Sequence, residues 1–207
     1  SITEIEDFWL SIVKFFKIEF DKPQAPYIDL IKTSLKLFGL LIRKLVILEM
    51  FLKDNLKTPA IKYQDENGDY FEITWNSLKL KTLEFQKILI KNNVQIGDRV
   101  VGYCSNTPEV VSAFLAVNSI GAIWSSCSPD FGTQGVVDRF KQIEPSILIT
   151  SDHYFYNGKR INILEKVQDI LKQIPSIKKT LVFSYNENKK HDFKDYVNFE
   201  EALNQSK

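Results

Sequence analysis

From Arg99 to Ser184 the chain repeats one pattern: a short apolar run, a polar loop, then an amphipathic stretch of helical length. The apolar runs are Arg99–Cys104, Ala122–Cys127, Ser146–Thr150 and Lys179–Ser184. Each is apolar at consecutive rather than alternate positions, the pattern of a strand buried on both faces. A strand covered on both faces needs helices above and below it, so strands separated by helices read as βαβ units. Right-handed crossovers then wind them into an open parallel sheet. The expected fold class is α/β: an incomplete doubly wound parallel sheet, preceded by N-terminal helices and a β-hairpin.

Local punctuation sets the expected boundaries. Thr107-Pro108-Glu109 supplies an N-cap, a proline at the first helical position and an acid in the first turn. Val110, Phe114 and Val117 then recur at helical spacing, and Gly121 is expected to close that helix. A second helix carries Val136, Val137, Phe140 and Ile143 up to Pro145. A third is predicted over Ile161–Ile174, with Leu164, Val167 and Leu171 on its inner stripe and Pro175 ending it. Upstream, Ala60–Gln64 and Tyr70–Trp75 alternate apolar and polar residues around Asn67-Gly68, which predicts a hairpin. A helix over roughly 76–91, stopped by Asn92-Asn93, joins it to the first parallel strand.

The beginning of the chain is different. Residues 4–20 read as a helix that Pro23 and Pro26 end, whereas in 27–57 leucine and isoleucine crowd every face of the helical wheel. That crowding fits either a buried helix or an aberrant segment from a shifted reading frame. The expected organisation is a helical extension over 1–57, atypical in 27–57, and a partial α/β subdomain over 58–207. The start at Ser1 within an amphipathic pattern, and the polar end at Asn204–Lys207, lead us to expect a truncated product.

Composition excludes some functions. Formal net charge is +1, from 27 basic against 26 acidic residues. A nucleic-acid partner would call for a basic excess that is not there. Gly39, Arg43, Lys44 and Glu49 interrupt the apolar stretch Leu35–Leu52, so it falls short of a bilayer span. Cys104 and Cys127 sit inside apolar runs and read as reduced core thiols. A cytoplasmic protein is expected.

Ligands of an open parallel sheet bind at the carboxyl ends of its strands. Here those ends are Ser105–Thr107, Ser126–Gly132, Ser151–Lys159 and Ser184 onward. Neither G-x-x-x-x-G-K nor G-x-G-x-x-G occurs, and Gly132 and Gly135 are too sparse to cradle a phosphate. His153 and His191 are the only histidines and are far apart, so no metal site is expected. No basic neighbour in sequence activates Cys127 as a nucleophile. In Tyr156-Asn157-Gly158-Lys159-Arg160, two adjacent cations follow a glycine. That loop reads either as a phosphate contact or, more simply, as a solvated turn.

The wording of the loops carries the reading further. Gly121 through Gly132, which contains Trp124-Ser125-Ser126-Cys127-Ser128-Pro129-Asp130-Phe131, resembles the equivalent stretch of acetoacetyl-CoA synthetases. So do Val137–Pro145 and Tyr156–Arg160. Thr74-Trp75, Gly97-Asp98-Arg99-Val100 and Asn106-Thr107-Pro108-Glu109 are similar to the opening of the wider adenylate-forming superfamily, and the Phe8-Trp9 helix is also similar. The resemblance covers roughly 59–185 and extends to 4–22.

The resemblance implies an AMP-forming acid–thiol ligase with acetoacetate, ATP and CoA as substrates and Mg²⁺ as cofactor. The carboxylate attacks the α-phosphate of ATP and releases pyrophosphate, and the CoA thiol then displaces AMP to form the thioester. By the same resemblance Gly158, Lys159 and Arg160 would meet CoA phosphate, and Pro129 and Asp130 would line the pantetheine tunnel. Asp130 is expected to cap the following helix rather than act as a base. The family's phosphate loop, ribose-binding strand end and C-terminal lysine domain should lie beyond Lys207. No catalytic residue is assigned within the chain, and it is expected to be inactive alone. Two readings stay open beside this one: a ligase for another short-chain carboxylate, and a non-catalytic product whose half-domain binds CoA or a partner. A half-sheet ending at the fourth strand is further expected to leave an apolar edge bare.

Overall fold

A computed structural model describes residues 11, 14–15, 59–66, 68–183 and 196–198. The chain divides into two compact units, Ser1–Asp54 and Asn55–Lys207. In the first, Ser11, Lys14 and Phe15 are helical. The remainder of the predicted N-terminal helix, and all of 27–57 including Leu35–Leu52, lie outside the described residues. Among the described residues no helix is long and apolar enough to cross a membrane.

The second unit opens with an antiparallel pair, β1 (Ile61–Gln64) and β2 (Tyr70–Ile73). The turn between them is held by Gly68 N–H donating to the Asp65 carbonyl at 3.0 Å and by Asp69 N–H donating to Asp65 Oδ1 at 2.9 Å. The predicted second strand ran on to Trp75, but Thr74 is an N-cap whose Oγ1 accepts from Ser77 N–H at 3.1 Å. Helix α1 therefore starts at Trp75 and runs to Lys91. Capping chemistry wins over strand alternation there.

The parallel sheet follows as β3 (Arg99–Tyr103), α2 (Pro108–Ser119), β4 (Ile123–Cys127), α3 (Thr133–Lys141), β5 (Ile147–Ser151), β6 (His153–Tyr156), β7 (Lys159–Asn162), α4 (Leu164–Gln173), β8 (Lys179–Phe183) and β9 (Tyr196–Asn198). Five strands pair in the order β4-β3-β5-β8-β9, all parallel. Strand β9 corrects one expectation: β8 is not a bare edge, because β9 pairs with it over Thr180–Val182. Pairing by a segment so far along the chain is not signalled by local pattern.

Burial on both faces, which the continuous apolar runs implied, is realised in β3, β5 and β8, whereas the edge strand β4 leaves Ile123 and Ser126 exposed. Val100, Ile147, Ile149 and Leu181 face a core made with Phe85 and Leu89 of α1 and Ala113 and Val117 of α2. Val101, Tyr103 and Leu148 face a second core made with Val136 and Phe140 of α3 and Val167 and Ile170 of α4. Successive strand residues serve opposite cores because side chains alternate along a strand. Helices α1 and α2 thus cover one face, and α3 and α4 the other.

Gly102 shows how tightly the first face is built. A Cβ there would stand 2.6 Å from Cζ2 and 2.7 Å from Cη2 of Trp124, whose ring lies on the neighbouring strand. Trp124 also meets Phe114 edge-on, at 6.4 Å between centroids. Gly102→Ala should therefore displace the indole and cost about 1–3 kcal/mol of overpacking. A denaturation midpoint lowered together with altered Trp fluorescence is expected, and an unchanged midpoint would refute the close approach.

Another prediction is corrected between β5 and α4. The expected polar loop is the β6–β7 hairpin, with Asn157 at φ 50° and Gly158 at φ 70° in its turn. Two successive positive φ values define the hairpin turn whose twist matches the strands. Consequently α4 begins at Leu164 rather than Ile161, and its backbone N–H is met by Asn162 Oδ1 at 2.9 Å.

Candidate coenzyme site

Strand β3 has β4 on one side and β5 on the other. The connections on leaving β3 and on returning to β5 pass over opposite faces, so a crevice opens at the carboxyl ends of these strands. A cavity of about 470 Å³ lies there. Its floor is the loop after β3 (Ser105, Asn106, Thr107) and the loop after β4 (Ser128, Pro129, Asp130). Its walls come from the tip of the β1–β2 hairpin, including Tyr63 and Asp65, and from β6, including His153 and Tyr154. That volume is in the range of small-molecule and cofactor sites.

The loop after β4 is pinned from below. Tyr103, fully buried at the end of β3, shares its hydroxyl hydrogen between the carbonyls of Pro129 and Phe131, each at 3.0 Å. Burial is the main influence that raises this phenol to about 12, so it remains a donor. Ser128 Oγ donates to Asp130 Oδ2 at 3.0 Å. Burial, and then a hydrogen bond to Asp130, raises the Tyr154 phenol, so Asp130 also joins this loop to β6. The expectation that Asp130 caps the next helix is corrected here: the N-cap of α3 is Gly132, with no side-chain cap bond. The carboxylate is turned to Ser128 and Tyr154 instead.

Charge in the cavity is one-sided. Asp65, Glu66, Glu109 and Asp130 line it, and no lysine or arginine does among the described residues. Burial pushes the Glu109 carboxyl up, but the Lys81 ammonium at 2.8 Å outweighs it and leaves the group below the usual carboxylate range. A depressed folded-state value contributes stability above the unfolded value, and that stability is lost as pH falls through the folded value. Acidification from neutral pH should therefore destabilise the native chain more than the Lys81→Met variant, which loses the largest of the effects that lower this carboxyl; equal acid sensitivity would contradict the pairing.

The structure places the residues singled out from sequence in two groups. Pro129 and Asp130 form part of the cavity lining. Gly158, Lys159 and Arg160 lie outside it, at the turn and on β7. Lys159 is paired with Tyr156 and Arg160 with Phe155, so the two adjacent cations belong to opposite faces of the hairpin. Cys104 and Cys127 are buried free thiols. Burial pushes Cys104 up to about 12, and burial raises Cys127 despite the opposing charge of Arg139. Among the described residues no three His, Cys, Asp or Glu side chains gather to hold a metal ion.

Sequence reasoning missed Tyr103, Tyr154 and the β1–β2 tip as site elements. Tyr103 reads as one more apolar strand position, and nothing local shows that a distant hairpin reaches the strand ends.

Fold and crevice together define a doubly wound α/β domain with a cavity of ligand size at the carboxyl ends of its strands. The chain belongs to the AMP-binding enzyme family, which matches residues 49–205. It is 42% identical over 133 residues to an acetoacetyl-CoA synthetase of Gallus gallus, covering 64% of this chain and 20% of that protein. It is 34% identical over 196 residues to an acetoacetyl-CoA synthetase of Macaca fascicularis, covering 89% of this chain and 28% of that protein. Among solved structures it is similar to an acetoacetyl-CoA synthetase from Streptomyces lividans, with a TM-score of 0.76 and 26% identity, over 97% of this chain and 31% of that one. The chain thus spans 20% to 28% of the length of these curated relatives.

Proposed function

We propose that this chain is the coenzyme-facing part of an AMP-forming acid–thiol ligase that joins acetoacetate to CoA. The observation that carries the reading is the division of charge at the strand ends. The cavity offers tyrosine faces and acidic or hydroxyl acceptors without a lining cation among the described residues, whereas Lys159 and Arg160 stand just outside it. A neutral arm bearing amides and ending in a thiol suits such a cavity. Phosphates do not, because like charges in a partly desolvated site repel, and they would stay with the two cations. CoA has this construction, and the names of the relatives favour acetoacetate as the acid.

In this reading ATP activates the acid as an acyl-adenylate and Mg²⁺ accompanies the ATP. The chain's own residues supply the binding wall for the coenzyme: Tyr103 holds the Pro129 and Asp130 loop, and Asp130 and Tyr154 close it against β6. The reading is tested by titrating the 207-residue chain with CoA, with pantetheine as competitor. Measurable CoA binding, weakened by salt and reversed by pantetheine, is expected. Absence of binding, or competition by phosphate but not pantetheine, would overturn it.

The same reading predicts that the purified chain releases no pyrophosphate from ATP and acetoacetate, since among the described residues no lysine or arginine lines the cavity to meet a triphosphate. A coupled pyrophosphate assay checks this, and turnover would refute it.

A further inference from the structure

The parallel sheet ends differently on its two sides. Strand β9 pairs with β8, whereas β4 has β3 on one side and, among the described residues, no strand on the other. The direction of its hydrogen bonds shows what the open side offers. Ile123 N–H donates to the Asp98 carbonyl at 2.7 Å, so Ile123 turns its backbone groups towards β3. Backbone direction alternates along a strand, so Ser125 and Cys127 face β3 as well, and Trp124 and Ser126 point their N–H and C=O groups outward. Among the described residues nothing bonds these outward groups.

Proteins guard such an edge with lysine, proline, a bulge or a covering element, because a bare edge is a template for another strand. Ile123-Trp124-Ser125-Ser126-Cys127 has no charge and no proline, and it pairs with β3 in unbroken register. Its surroundings are apolar too. Ile123 is 39% exposed, and Ile96, which lies against Gly121 just ahead of the strand, is 66% exposed.

The strand is also complementary to itself. Antiparallel pairing about a two-fold axis at Ser125 sets Trp124 of each copy against Ser126 of the other. Those two residues carry the outward groups, so each such pair exchanges both backbone bonds and every outward N–H and C=O of the strand is used. The indole, backed from within by Gly102 and Phe114, meets a small side chain, and Ile123 meets Cys127. No charge opposes a like charge. An axis at Trp124 instead would set Ser126 against Ala122, whose N–H is already bonded to the Val117 carbonyl.

We propose that β4 is the interface for a second copy of this chain, joined antiparallel at Ser125 so that the two five-stranded sheets become one. Closed two-fold pairing is the commonest form of self-association. The proposal is independent of the coenzyme reading.

The test uses the 207-residue chain in sedimentation and in cross-linking. A concentration-dependent dimer is expected for the native chain. Ser126→Pro deletes an outward N–H and leaves the pairing with β3 intact, a place where edge strands accept proline; it should be monomeric with an unchanged circular dichroism spectrum. Ser125→Lys sets two ammonium groups directly opposite each other and should raise the dimer dissociation constant roughly fivefold; it serves if Ser126→Pro does not fold. Ser125→Cys gives the register. At a non-hydrogen-bonded pair the two Cα atoms stand about 4.5 Å apart, within disulfide reach. Mild oxidation should therefore cross-link Ser125→Cys, whereas the native chain, whose thiols are buried, and Ser128→Cys, three residues off the axis, should stay uncross-linked. A native chain that is monomeric at every concentration overturns the proposal and leaves the edge to a strand of another protein. A dimer that persists in both Ser126→Pro and Ser125→Lys, or that cross-links through Ser128→Cys but not Ser125→Cys, overturns it as well.

Discussion

Phe140→Ala is expected to remove a large part of the stability of the Asn55–Lys207 unit. Phe140 is fully buried on α3, in the core formed with Val101, Leu148 and Ile170. Truncation of such a ring costs about 3–5 kcal/mol through lost transfer energy and a residual cavity. A domain has only about 5–15 kcal/mol in all. The loss should not be confined to one face, because Val101 and Leu148 alternate along β3 and β5 with Val100 and Ile149, which serve the other core. Chemical denaturation read by circular dichroism and by Trp fluorescence should move together to a much lower midpoint. Two separate transitions would mean that the faces fold independently, contrary to the shared sheet.

The second large effect is expected on binding. Tyr103→Phe keeps the packed ring and deletes only the hydroxyl that donates to the Pro129 and Phe131 carbonyls. Stranding buried acceptors costs about 1–3 kcal/mol. The loop from Ser128 to Gly132 forms part of the cavity floor, so its loosening should weaken CoA and pantetheine alike. A roughly equal loss of affinity for both probes is the expected result of parallel titrations. That distinguishes this variant from Arg160→Ala, which should weaken CoA alone. Unchanged affinity for both probes would mean that the loop is held by other contacts, such as Lys166 Nζ at 3.4 Å from the Pro129 carbonyl.

Much of the architecture was legible because consecutive apolar residues in 99–104, 122–127 and 146–150 leave few alternatives to buried parallel strands. Helix boundaries were legible at Pro108, whose fixed φ suits the first helical position although Thr107 makes no side-chain cap bond, and at Asn92-Asn93. The β6–β7 hairpin was misread although Asn157-Gly158 is the same dipeptide that marked the turn at Asn67-Gly68. The difference lies in the flanks: His153–Tyr156 and Lys159–Asn162 are four residues each and show no clear alternation of apolar and polar positions. Strand β9 was invisible because its partner β8 is recognised by register, a long-range property. For the site, the strand ends could be located from topology alone, and Pro129 and Asp130 proved to line a cavity there. The placement of Lys159 and Arg160 on opposite hairpin faces could not be read while that segment was taken as a loop.

The central claim, that the crevice divides a neutral arm from its charged head, is tested most directly by a crystal structure of the chain soaked with CoA. The account predicts pantetheine density between Tyr63 and Tyr154 over the Pro129–Asp130 floor, with the phosphates outside the cavity on the side of Lys159 or Arg160. Phosphate density inside the cavity beside Asp65, Glu109 or Asp130, or an arm bound elsewhere on the sheet, would contradict it.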